Sequence, residues 1–178
     1  RQDCDVYRPD GKPLLFLRKR VYNQALLDEV RPVLAHAAKK YSSDNRAAYA
    51  GAKRAVAVFK DGTKSSNTRT VTAEGKHLAV PSAVIGYFDK QGGRFPFCRA
   101  TAFTANEVEK WEKVVPLAQR TAEVFRENLP TQYAAQQAVA KATPTEYVIR
   151  GTPFTTLTVN HNVIGRIHKD AGDYPDGF

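Results

Sequence analysis

The sequence has no methionine, two cysteines and one tryptophan in 178 residues. Cys4 and Cys98 lie far apart with no Cys-x-x-Cys spacing, which excludes a zinc ribbon and a disulfide framework and points to a reducing, intracellular setting. No stretch approaches the roughly 20 apolar residues that cross a bilayer, and no basic-then-apolar leader opens the chain, so a soluble protein with no membrane partner is expected. Arg1 stands first and no Met follows, so the expectation is a chain whose beginning is cut or processed. Neither an internal repeat nor a low-complexity tract is present, which excludes a solenoid.

What is present suits one folded domain. Apolar residues make up 42% of the chain, nine Phe and eight Tyr among them, and the 25% of charged residues is ordinary for a globular protein. Lys and Arg number 27 against 18 acids, giving a net charge of +9 that favours a polyanionic partner by Coulomb attraction. The longest basic block is only Arg18-Lys19-Arg20, so a merely solubilising surface is the plainer alternative.

Residues 4 to 17 read as a hairpin turning at Pro9-Asp10-Gly11-Lys12. Asn23 is placed to cap a helix whose Leu26, Leu27, Val30, Leu34 and Ala38 recur at helical spacing, with a kink or break expected at Pro32. Residues 41 to 70 carry Arg46, Lys53, Arg54, Lys60, Lys64 and Arg69 among Ser, Asn and Gly, and read as an irregular, mobile stretch. A strand is expected at Ala83–Phe88. Thr104 and Glu107 form a capping-box pattern ahead of Val108, Trp111 and Val115, Pro116 is expected to open a second helix, and Pro130 a third. Beyond Pro144 the β-branched runs Glu146–Arg150 and Phe154–Asn160 read as strands. Helices without a βαβ rhythm argue for an α+β or helix-supported β fold.

The chemistry concentrates near the end of the sequence. In a strand His168 and Asp170 share a face, so an imidazole nitrogen and a carboxylate oxygen can reach one ion while Lys169 points away. With one further His they would complete a 2-His-1-carboxylate triad, whose open positions suit Fe(II), a bidentate 2-oxo acid and O2. Alone, the spacing is common, and a solvated turn is its usual explanation. Thr156, Thr158 and Asn160 also share one face, a polar row odd on a dry core but natural inside a cofactor-lined barrel.

Four segments in order, 82–89, 98–104, 151–160 and 168–173, resemble the TET and base-J-binding-protein (JBP) family of nucleic-acid dioxygenases, nearer its JBP-like branch. The resemblance covers residues 80 to 178 well and the front half loosely. It implies a double-stranded β-helix (jelly-roll) core flanked by helices, with Fe(II) and 2-oxoglutarate as cofactors. The implied single domain, 1–178, has a helical and loop-rich support over about residues 1–80 and the start of the core over about 81–178. On this resemblance His168 and Asp170 are the catalytic iron ligands, and the third His and the Arg that grips 2-oxoglutarate fall beyond Phe178. The C-terminal part of the barrel is therefore expected to be missing, supplied by a further segment or a second chain, because half a barrel would leave open strand edges.

Asp173 matches the position that faces the target base, where its carboxylate can accept from cytosine's amine or thymine's ring N–H; capping the turn at Gly172 is the alternative. Arg99 lies in a segment that approaches the site in the family, to bridge a substrate carbonyl or phosphate, or simply to pair with an acid. Arg166 shares strand parity with His168 and, with Thr156 and Asn160, is assigned to the cofactor. The function so implied is hydroxylation of the 5-methyl group of a DNA pyrimidine, 5-methylcytosine or thymine, on a base flipped out of the duplex. The competing reading is a non-catalytic nucleic-acid-binding or structural module that keeps a partial dioxygenase fold.

Overall fold

The computed structural model describes residues 3–42, 53–58, 64–71, 81–88 and 97–161, with 53–58 and 64–71 at the level of the backbone. In chain order the elements are β1 (Cys4–Tyr7), β2 (Pro13–Leu17), α1 (Gln24–Lys40), β3 (Lys53–Val58), β4 (Lys64–Val71), β5 (Ser82–Phe88), β6 (Arg99–Ala100), α2 (Ala102–Asn106), α3 (Val108–Asn128), α4 (Pro130–Ala142), a 3-10 turn (Thr145–Tyr147) and β7 (Thr156–Asn160). Mixed helices and small antiparallel sheets, without parallel crossovers among the described residues, match the α+β expectation.

β1 and β2 pair as expected, closed by Arg8 N–H to Lys12 O at 2.8 Å and Gly11 N–H to Arg8 O at 2.9 Å, with Gly11 at φ +79°. A lone two-stranded hairpin is marginal in water. This one is tied to α3 by Arg18 Nε donating to Asn128 Oδ1 at 2.5 Å, and the segment after it by Arg120 Nε donating to Val21 O at 2.8 Å.

α1 starts where Asn23 Oδ1 accepts the Leu26 N–H at 2.7 Å. Its buried face is Val30, Val33, Ala37 and Ala38, with Leu26 and Leu34 packed alongside. Of the kink or break expected at Pro32, the break does not occur: α1 continues through it. Pro32 and Asp28 are both on the exposed face, so the carbonyl left without an N–H partner meets water. The same holds for Pro116: α3 runs unbroken through it, because Pro116 and Glu112 are exposed while Trp111, Val114, Val115, Ala118 and Ala122 are buried.

Three further expectations are corrected. The capping residue near 104 is Thr101, whose hydroxyl accepts the Thr104 N–H ahead of α2; Glu107 separates α2 from α3 and makes no side-chain cap bond. Glu146–Arg150 is not a strand. Tyr147 N–H bonds Pro144 O at 2.9 Å, and Ile149 N–H bonds Phe154 O at 2.8 Å across a turn with Gly151 at φ +77°, so local bonds outcompete a ladder. Within residues 41 to 70, β3 and β4 pair antiparallel, Lys53 opposite Val71 and Val56 opposite Thr68. The Val and Thr content of these strands outweighs the polar composition that suggested a loop.

The core forms where one face of the sheet β6-β5-β7 meets α1, with α3 packed against α1 and α2. Ala83, Ile85 and Val159 point into it with Val30, Ala37, Phe103, Trp111 and Val114. Large side chains such as Ile85 and Phe103, both 0% exposed, contribute roughly 1.5–3 kcal/mol each on burial. The sheet's other face presents the exposed Thr156, Thr158 and Asn160, and it carries the candidate site.

Candidate active site

Because side chains alternate across a strand, burying Val159 and half-burying Leu157 turns Thr156, Thr158 and Asn160 to the opposite face, where all three are exposed. The pairing sets what they face: Asn160 lies opposite Ser82, Thr158 opposite Val84 and Thr156 opposite Gly86. Ser82 Oγ donates to Asn160 Oδ1 at 2.7 Å, which fixes the carboxamide and leaves its NH2 as the group to offer. On the other side of β5, Arg99 is opposite Phe88, with its guanidinium 4.9 Å from the ring centroid. That stacking fixes the plane of the guanidinium at the β6 edge of the sheet.

Gly86 is the hinge of this arrangement. Its N–H leaves the ladder to donate to Thr104 Oγ1 at 2.8 Å, its carbonyl accepts from Thr101 N–H at 2.8 Å, and Tyr87 N–H takes Thr155 O at 2.8 Å. Gly86 has φ +96°, and a Cβ there would stand 2.5 Å from Thr155 O. Thr104 is buried and also accepts from Thr101 Oγ1 at 3.1 Å, so a two-threonine clamp from α2 sets the point where β5 passes from pairing with β7 to pairing with β6. Sequence reasoning missed Gly86, Thr104 and Ser82. A glycine inside a strand pattern is the signal that marks the first.

A second polar cluster sits behind the sheet. Glu107, with a side chain 10% exposed, receives Lys40 Nζ at 2.8 Å, Tyr41 OH at 2.9 Å and Lys110 Nζ, and His36 Nε2 lies 2.9 Å away. The Lys110 bond first, then those from Lys40 and His36, hold the Glu107 carboxyl well below the usual carboxylate range. This knot joins α1 to the α2–α3 junction, at the far end of α2 from its cap Thr101. A cavity of about 640 Å³ lined by Tyr87, Trp111, Val115, Ala140 and Ile149 lies on the helix side of the sheet, away from the polar row.

The structure thus brings Thr156, Asn160 and Arg99 to one sheet. His168, Asp170, Arg166 and Asp173 lie outside the described residues. Of the other histidines, His36 is engaged at Glu107 and His161 ends β7, its N–H bonding Pro81 O at 2.9 Å; His77 is outside the described residues. Among the described residues no group of three or more His, Cys, Asp or Glu could hold a metal. The face offers hydroxyls, a carboxamide and a guanidinium. Hydroxyl, amide and guanidinium hydrogens are donors of the kind that bind carboxylate or phosphate oxygens.

The family model Tet_JBP, described as the oxygenase domain of the 2OGFeDO superfamily, matches residues 83–178. The chain is 39% identical over 102 residues to a thymine dioxygenase JBP1-A of Trypanosoma cruzi (strain CL Brener), covering 57% of this chain and 12% of that protein. It is 39% identical over 98 residues to a thymine dioxygenase JBP1 of Crithidia fasciculata, covering 54% and 12%, and 37% identical over 98 residues to its counterpart in Trypanosoma brucei brucei, covering 54% and 11%. The match therefore spans about an eighth of the length of these curated relatives. No solved structure matches the chain.

Proposed function

Because the chain belongs to the Tet_JBP oxygenase-domain family of the 2OGFeDO superfamily, we propose that it serves an Fe(II)/2-oxoglutarate dioxygenase that hydroxylates the 5-methyl group of thymine in DNA. The observation that carries this reading is the span of the matched segment, which contains β5 from Ala83 onward, β6, the polar row of β7 and the His168-x-Asp170 pair together. Thymine is preferred to 5-methylcytosine because the relatives are thymine dioxygenases.

The family's cofactors are Fe(II) and 2-oxoglutarate. In this reading His168 and Asp170 hold the iron, while Thr156, Asn160 and Arg166 hold 2-oxoglutarate, hydroxyl, amide and guanidinium hydrogens donating to its carboxylates. When bound, these cofactors couple decarboxylation of 2-oxoglutarate to succinate and CO2 with insertion of one oxygen atom of O2 into a methyl C–H bond, leaving a hydroxymethyl group. Asp173 accepts the ring N–H of thymine, and Arg99, steadied on Phe88, donates to a substrate carbonyl or phosphate. The target base reaches the site only by leaving the stack. A jelly-roll barrel is completed by strands bearing a third His and a distal Arg, from a further segment or a second chain.

The test is nucleoside mass spectrometry after incubating the full-length protein with Fe(II), 2-oxoglutarate and duplex DNA. 5-Hydroxymethyluracil is expected from wild type and should fall at least about 100-fold in His168→Ala and Asp170→Ala, since losing a ligand costs both iron affinity and geometry. Near wild-type conversion by either variant would overturn the iron assignment. Absence of any oxidised base from wild type would overturn the function.

A further inference from the structure

We propose that the β3–β4 hairpin is a basic ribbon that docks on duplex DNA beside the reacting base, with Lys53, Arg54, Lys64 and Arg69 meeting phosphates. The inference rests on the DNA substrate proposed above and names the element that holds it. The two strands, KRAVAV and KSSNTRTV, contain four basic residues and no acid. That is close to half of the chain's net +9 on a small fraction of its length.

Elsewhere among the described residues, basic charge is repeatedly met by acids. Arg18 pairs with Asp5, Lys40 and Lys110 with Glu107, Lys113 with Glu29, Arg120 with Glu123 and Arg150 with Glu112. Such pairs add little to the field a distant phosphate feels, so four bases without an acid within two strand sequences form a concentration of positive charge along the chain.

The ladder fixes how that charge is arranged. Arg54 is opposite Thr70 and Ala55 opposite Arg69, so positions 53 and 69 fall on one face of the ribbon and 54 on the other with 68 and 70, while Lys64 is opposite Val58 past an irregularity in register. Basic positions on both faces suit a ribbon lying between two phosphate walls better than a flat contact on one side. Two strands about 4.8 Å apart fit a major groove about 12 Å wide. Ser65, Ser66, Asn67, Thr68 and Thr70 add short polar side chains of the kind that bond phosphate oxygens. Ten residues separate Val71 from Ser82, the first residue of the site's central strand, which tethers the ribbon within about 40 Å of it.

The experiment measures duplex binding by fluorescence anisotropy across a salt series, with thymine conversion followed on the same protein. In the full chain, Lys53→Gln, Arg54→Gln, Lys64→Gln and Arg69→Gln are combined, and the control combines Lys39→Gln, Lys113→Gln, Arg126→Gln and Lys141→Gln, which removes the same charge from α1, α3 and α4. The hairpin set should weaken duplex binding by about 10- to 1,000-fold near 0.15 M salt and reduce the slope of log affinity against log salt by roughly 3 to 4, with the control changing affinity less than about threefold. Single Arg54→Gln and Arg69→Gln changes should each reduce the slope by about 1, which keeps the test decisive should the combined variant not fold. Equal losses in both sets, unchanged duplex binding, or a loss confined to single-stranded RNA or polyglutamate would overturn the ribbon. Wild type that binds through the hairpin yet oxidises no thymine would overturn the proposed activity and leave the ribbon standing.

Discussion

Gly86 tests the sheet at a single atom. Alanine there must hold φ +96° and place its Cβ 2.5 Å from the backbone oxygen of Thr155, which has no flexible end to swing away. Gly86→Ala should therefore cost at least about 1–3 kcal/mol, read as a lowered denaturant midpoint at unchanged m; a midpoint equal to wild type would mean that the β5–β7 crossing is looser than described. Glu107 makes its own prediction through pH. Its folded-state affinity for a proton is lowered by Lys110, Lys40 and His36, so its contribution is fully present above the unfolded glutamate value of about 4.3 and is lost progressively as pH falls below it. The thermal midpoint of Glu107→Gln should lie below that of wild type at pH 7, and the gap should narrow between about pH 5 and 3. A gap independent of pH would remove the ionised carboxylate from the explanation.

At the scale of elements, both interior prolines are tolerated because the carbonyls they orphan face solvent. Pro116→Ala restores an N–H that can reach Glu112 O and relieves a residue costing about 3 kcal/mol in a helix interior, offset by about 0.4–1 kcal/mol of added freedom in the unfolded chain. A rise of about 2–2.6 kcal/mol in unfolding free energy is expected by chemical denaturation, and a fall would show that α3 is built around the proline. The prolines also explain where the sequence misled. Proline is read as a helix boundary, yet which face it occupies depends on partners far along the chain, such as α1 against α3, and no local window contains them. Asn23 and Pro130 were legible because a cap and a first-turn proline act within a single helical turn. Thr104 was mistaken for a cap because its neighbour Thr101 offers the same chemistry one turn earlier, and only the fold shows that Thr104 is spent on Gly86. The run 146–150 failed for a related reason: its alternation is real, but Pro144 and Gly151 bend the chain on either side of it.

For the whole molecule, the polar row of Thr156, Thr158 and Asn160 was legible from parity alone, since the two apolar residues between them decide the other three positions. Its partner Ser82, and the alignment of Arg99 with Phe88, needed the order β6-β5-β7, which no periodicity reveals. If this face and the 168–170 pair bind cofactors together, adding Mn(II) with 2-oxoglutarate at about 100 times its dissociation constant should raise stability by about 2.7 kcal/mol, seen as a higher thermal midpoint, and Asp170→Ala should abolish the shift. A wild-type midpoint indifferent to both additions would count against the site. The sheet order also has a consequence in time. β5 leaves the ribosome well before β7, because Ile85 pairs with Leu157 across three intervening helices. Ala83 and Ile85 therefore wait with an unpaired edge while α2, α3 and α4 are synthesised, and nascent chains halted before residue 156 should engage chaperones and aggregate more readily than chains released after Asn160.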